Sequence, residues 1–257
     1  MQGAEPDDKT RDLIGQIAAA RATLAQSQYQ VDTIIAQSRR ALEYLPSNNL
    51  PFRFTATWTM AFAYQLQGDR AAAGREYSEA LSISQVSGDT FSTILATSCL
   101  GQVQELDNEL YLAVETYRRV LQLFGDQQPP HAGEVHLGLA RVFYEWNNLE
   151  AAELHGLQSL QLTQQYGSLV DRFIFSEVFL ARLKLARGDV TGAAAMLAQT
   201  EQSVRQNNFV HRMPEVAAAQ VMVLLNLGKL AEAADLAGKY ELPLIRARVL
   251  FAQGETA

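Results

Sequence analysis

Apolar residues recur along this chain at helical spacing and are interrupted at nearly constant intervals. Five segments share one form: the apolar end of a helix, a Gly or Asn, a short spacer, then an Ala-rich helix start. They are residues 66–73, 106–113, 145–152, 186–193 and 226–233, and their turn residues Gly68, Asn108, Asn147, Gly188 and Gly228 follow one another at 40, 39, 41 and 40 residues. Gly and Asn can enter the left-handed conformation that ends a helix, and an alanine five residues later lets the next helix approach closely. Each copy therefore predicts a helix hairpin. A lone hairpin cannot bury its apolar face, so the copies must stack.

The ends of the chain follow the same period less regularly. Helical periodicity over 13–26 and 29–45 places a first turn near Gln28. At the other end, 230–239 predicts a short second helix, and 244–252 followed by Gly254 reads as the first helix of a seventh, unfinished repeat. Pro46, Pro51, Pro129, Pro130, Pro214 and Pro243 all fall between hairpins, where they interrupt no helix interior. The expected organisation is a flexible segment over 1–12 and one solenoid over 13–257. Composition agrees: 37 Ala, 34 Leu and 23 Gln among 257 residues favour helix and disfavour strand. Aligned on the turn, Ala61, Tyr64, Gly68, Ala73, Tyr77 and Ala80 resemble the small and aromatic positions of a tetratricopeptide repeat. The predicted fold class is all-α, a right-handed superhelix of antiparallel helix hairpins with repeats of about 40 residues.

Charge and rare residues narrow the chemistry. A net charge of -7 without any Lys/Arg run excludes direct nucleic-acid binding by this segment. A single cysteine, Cys99, excludes an internal disulfide and is expected as a buried structural thiol in a reducing, cytoplasmic setting. No apolar run reaches about 18 residues, so no membrane span is expected. His131 and His136 invite a metal reading, but at i and i+5 they stand about 140° apart on a helix, whereas the zinc-protease pair shares one face at i and i+4. His155 and His211 are isolated in sequence, and surface or cap positions are expected for both. No catalytic constellation, metal site or cofactor is predicted.

The stretch 136–153, His-Leu-Gly-Leu-Ala-Arg-Val-Phe-Tyr-Glu-Trp-Asn-Asn-Leu-Glu-Ala-Ala-Glu, closely resembles the Y-E-W-N-D-L-E-A-A signature of the repeat region in MalT-like regulators, the large ATP-dependent activators of the LuxR family, and departs only at Asn148. Residues 166–167 and 180–190 also resemble that family's next repeat. Trp146, beside the turn of that signature, is expected to be structural. The sequence carries no G-x-x-x-x-G-K-[ST] phosphate loop and no basic helix-turn-helix after Gly254. The resemblance implies a sensor segment that binds a small-molecule inducer, a peptide or a regulatory protein and relays that event to ATPase and DNA-binding modules elsewhere, with self-association possible. A stand-alone scaffold for peptides or proteins is the alternative, although Trp58 and Phe62 stand where carboxylate clamps usually carry Lys and Asn.

In stacked hairpins the first helix of each pair lines the concave face, and with the turn residue as position 15, positions 2, 5, 9 and 12 point into it. That register selects Thr55, Trp58, Phe62 and Gln65, then Leu95, Ser98, Gln102 and Glu105, then Glu134, Leu137, Arg141 and Tyr144, and finally Phe175, Val178, Arg182 and Leu185. The mixture of flat aromatics with Arg and Gln suits a polar ligand with apolar faces, such as a sugar or short peptide. The candidate binding residues are Trp58, Phe62, Gln102, Arg141, Tyr144 and Arg182.

Overall fold

The computed structural model describes residues 6–125 and 128–254. Its helices pair as α1 (Asp8–Ser27) with α2 (Val31–Tyr44), α3 (Leu50–Gln67) with α4 (Arg70–Ser87), and α5 (Thr90–Leu106) with α6 (Leu110–Phe124). They continue as α7 (Ala132–Glu145) with α8 (Leu149–Thr163), α9 (Phe173–Ala186) with α10 (Val190–Gln206), and α11 (Met213–Asn226) with α12 (Leu230–Lys239). The seventh repeat contributes α13 (Pro243–Ala252). No strand occurs among the described residues. Contacts gather into two compact units, 1–125 and 126–257, the first holding three hairpins and the second three hairpins with α13.

Each hairpin closes through the same backbone device. Gly68, Asn108, Asn147, Gly188 and Gly228 have φ of 78°, 62°, 56°, 82° and 70°. The residue after each turn sends its N–H back to a carbonyl five residues earlier, as Asp69 does to Tyr64 at 3.0 Å and Asn148 to Phe143 at 2.9 Å. This bond satisfies carbonyls that the helix end would otherwise leave open. Asp69, Asn148 and Asp189 then cap the next helix by accepting from Ala72, Ala151 and Gly192. The first hairpin differs slightly from expectation: the left-handed residue is Tyr29, φ 55°, one position beyond Gln28.

Small side chains on both helices of the hairpins explain how closely the paired helices lie. Ala61, Ala73, Ala113, Ala152, Ala193 and Ala233 are all completely buried. Tyr77 and Tyr117, forty residues apart, are also buried and reach from the second helix of a hairpin to its first, where their hydroxyls donate to Gln65 Oε1 and Glu105 Oε2, each at 2.9 Å. Between hairpins, small hydroxyl residues meet in the interior: Ser38 with Thr59 across α2 and α3 at 2.9 Å, and Ser159 with Ser176 across α8 and α9 at 2.7 Å. In each pair one hydroxyl donates and the other accepts, as Ser38 donates to Thr59, whose own hydroxyl donates to carbonyls of its helix, and neither adds bulk that would push the helices apart. The expected loose leader over 1–12 enters α1 at Asp8, capped by Asp7, whose carboxylate accepts from Thr10 N–H at 2.7 Å. Its residues 1–5 lie outside the described ones.

Candidate functional site

A cavity of about 670 Å³ opens in the second unit, lined by the first helices of its four repeats, α7, α9, α11 and α13. Three of the candidate residues meet there: Arg141 and Tyr144 from α7, and Arg182 from α9. Tyr144 packs edge-on to Phe179, with centroids 6.0 Å apart at 75°, and the Arg182 guanidinium lies 5.8 Å over the Tyr144 ring. Arg182 thereby gains a flat partner that costs it no donor group. Leu137, Phe175, Val178 and Leu185 complete the apolar wall on these two helices.

The far wall was legible in the same register but lies in repeats to which the register had not been extended. Counting back from Gly228 reaches Glu215, Ala218 and Met222, and counting back from Gly254 reaches Leu244 and Arg248; all five line the cavity. Glu215 Oε1 accepts from Arg212 Nη1 at 3.2 Å, whereas its Oε2 is buried without a hydrogen-bond partner. Arg212 in turn lies 4.7 Å over the Phe175 ring and donates from Nε to Asp171 Oδ2 at 2.6 Å. His211 Nε2 is 2.8 Å from the same carboxylate oxygen. Those two hydrogen bonds hold the Asp171 carboxyl below its ordinary range against the opposing effect of burial.

Trp58, Phe62 and Gln102 belong to the first unit and none lines this cavity. Trp58 and Phe62 stack with centroids 6.5 Å apart at 20°, and Tyr29 adds a third ring 6.3 Å from Phe62. Trp58 packs against two buried clusters, one with Phe54, Ala80, Ile83 and Ala96 and the other with Ala61, Ala73, Tyr77 and Val103. Gln102 is half-buried on α5. Glu105 and Gln65, at position 12 of their repeats, are engaged by the buried tyrosines described above.

Two expectations about rare residues are corrected. His155 is not isolated: its Nδ1 lies 2.8 Å from Nδ1 of buried His136, and its ring stacks on Phe143 at 5.4 Å and 9°. Gln128 Oε1 accepts from His136 Nε2 at 2.8 Å, so a neutral His136 has only Nδ1 with which to accept, and His155 Nδ1–H is the donor. Burial and the neighbouring His155 push the His136 pKa down to about 4. Cys99 is half-buried rather than fully buried, packed beside Tyr77 and Ala61. Trp146 caps the end of α7 and sits edge-on to Phe143 at 5.9 Å. Among the described residues no three His, Cys, Asp or Glu side chains gather as a metal site would require, and no helix is long and apolar enough to cross a membrane.

This repeat geometry has a family counterpart: the model of the MalT-like TPR region matches residues 15–256. The chain belongs to this family. Among solved structures it is similar to a signal transduction ATPase with numerous domains (STAND) that carries a tetratricopeptide repeat sensor, from Pyrococcus horikoshii, at 15% identity and TM-score 0.67. The match covers 93% of this chain and 39% of that one, so the chain corresponds to well under half of that protein. It is also similar to the apo form of RapI, at 10% identity and TM-score 0.69 over 94% of this chain and 98% of that one. Aspartyl phosphate phosphatase F from Bacillus subtilis matches at 10% identity and TM-score 0.64, over 98% and 80% of the two chains. At these identities the likeness is one of fold. No curated protein sequence matches. The family match makes the chain a tetratricopeptide-type sensing or interaction domain.

Proposed function

We propose that this chain is the signal-sensing segment of a MalT-like, LuxR-family transcriptional regulator, and that it takes a small inducer or a partner's peptide into the cavity between α7, α9, α11 and α13. The observation that supports this reading is the cavity itself: about 670 Å³, walled by apolar and aromatic side chains with a few converging polar groups, in a chain of the MalT-like family. On this reading ATP-driven and DNA-binding chemistry belongs to other modules of the regulator. The Trp58 and Phe62 stack then serves packing within the first unit, and the binding residues contract to Arg141, Tyr144 and Arg182 with the newly found Glu215 and Arg248.

Isothermal calorimetry with oligosaccharides, short peptides and small metabolites tests this. A binder is expected whose affinity falls about tenfold or more in Tyr144→Ala, which loses both the ring under Arg182 and the contact with Phe179, while Trp58→Ala leaves it unchanged. A binder weakened by Trp58→Ala and indifferent to Tyr144→Ala would move the site to the first unit. The isolated chain is expected neither to hydrolyse ATP nor to bind DNA by sequence.

A further inference from the structure

The charges lining the cavity run against those of the chain. The whole sequence has 21 Lys and Arg against 28 Asp and Glu, yet among the described residues the cavity is lined by Arg141, Arg182 and Arg248 against one acidic residue, Glu215. Glu215 is already offset by Arg212 at 3.2 Å. Among the described residues neither Arg182 nor Arg248 takes part in an ion pair: the first lies over Tyr144, and the second donates from Nη1 to Met222 Sδ at 3.6 Å. A guanidinium resting on a ring or touching a thioether keeps most of its five donors available, in a fork that fits two oxygens of one acid group. Between these cations the wall is apolar, from Phe175, Phe179 and Val178.

We infer that the cavity takes a small organic anion: an apolar or aromatic body bearing a carboxylate or phosphate that Arg182 and Arg248 bind. This inference rests on the cavity reading above and names the chemical class of its ligand. A neutral sugar would leave Arg182 and Arg248 without a counter-charge. A cationic ligand would meet them directly.

The test uses two fluorescent probes with the same ring system, anionic 1-anilinonaphthalene-8-sulfonate and neutral N-phenyl-1-naphthylamine, on the full chain. The sulfonate is expected to bind about tenfold more tightly or better, and this preference disappears in Arg182→Gln/Arg248→Gln while the affinity for the neutral probe stays the same. Tyr144→Ala weakens both probes. Both arginines are exposed, so the fold should survive, with circular dichroism as the check. A second measurement needs no variant: rising NaCl weakens the sulfonate and leaves the neutral probe untouched. Displacement of the sulfonate by N-acetylphenylalanine but not by its amide identifies a carboxylate ligand, and displacement by phenyl phosphate identifies a phosphate. Equal binding of the two probes, or a preference that survives the double substitution or high salt, overturns the anion inference and leaves the cavity reading standing. Binding of neither probe overturns the cavity reading itself.

Discussion

An alanine at position 101 would place its Cβ 2.7 Å from Cε1 and 2.9 Å from Cδ1 of Tyr117. That ring is buried and its hydroxyl is tied to Glu105 Oε2, so it cannot swing aside. Gly101→Ala should therefore cost about 1–3 kcal/mol in urea unfolding, as overpacking does elsewhere. Gly74, within α4, is the control: its added Cβ would meet only Val103 Cγ1, at an ordinary 3.6 Å. Gly74→Ala should stabilise by about 0.5–1 kcal/mol through helix propensity. Equal effects of the two substitutions would contradict the assignment of Gly101 to a packing contact. The repeat register sets Gly101 at the small position that Ala61 holds forty residues earlier and leaves Gly74 outside it, but the ring that makes the contact arrives from a neighbouring helix.

Within each unit, adjacent hairpins meet through contacts that include buried hydroxyl pairs. Ser159 and Ser176 are buried and 2.7 Å apart across α8 and α9. Removing one hydroxyl orphans the other, so Ser159→Ala and Ser176→Ala should each cost about 1 kcal/mol, and the double variant should cost less than the two together. Strict additivity in a double-mutant cycle would show that the pair is not coupled. At this scale the sequence was most informative. The 40-residue spacing of Gly68 to Gly228 located every hairpin turn after the first, since a left-handed turn demands Gly or Asn and stacking demands alanine beside it. It misplaced the first turn by one residue because Tyr29 adopts a conformation its type rarely takes. The hydroxyl pairs were not legible, since facing residues on separate hairpins depend on how the helices rotate against each other.

For the molecule as a whole, stability should depend on pH through the histidine pair. The folded His136 pKa lies near 4, below the 6.5 expected of the unfolded chain, so the folded state refuses a proton that the unfolded state accepts. Its contribution to stability is complete above about pH 6.5, falls as pH drops toward 4, and levels off below that. Glu76 and Glu177 act with the opposite sign, because burial raises both carboxyls. The comparison that isolates the histidine is wild type against His136→Phe: their urea midpoints should converge between pH 6.5 and 4 and keep a constant offset above pH 7. An offset that never changes with pH would remove His136 from the account.

The candidate site was legible to the extent that a single register was. Position counting from the turns selected Arg141, Tyr144 and Arg182, which line the cavity, and the same count carried two repeats further reaches Glu215 and Arg248 on its far wall. It also selected Trp58 and Phe62, whose stacking on each other in the first unit position counting does not reveal. His136 and His155 escaped notice since nineteen residues and a turn separate them, and only the way α7 lies on α8 brings their rings together.

The cavity takes its walls from four successive first helices, so its width is set by the pitch of the second unit's stack and by no single rigid element. Arg182 sits on α9 and Arg248 on α13, two repeats apart along that stack. A ligand that engaged both would act as a strut of fixed length between non-adjacent repeats. Occupancy would then be recorded as a change in rise per repeat, a displacement along the axis that accumulates with every hairpin it crosses.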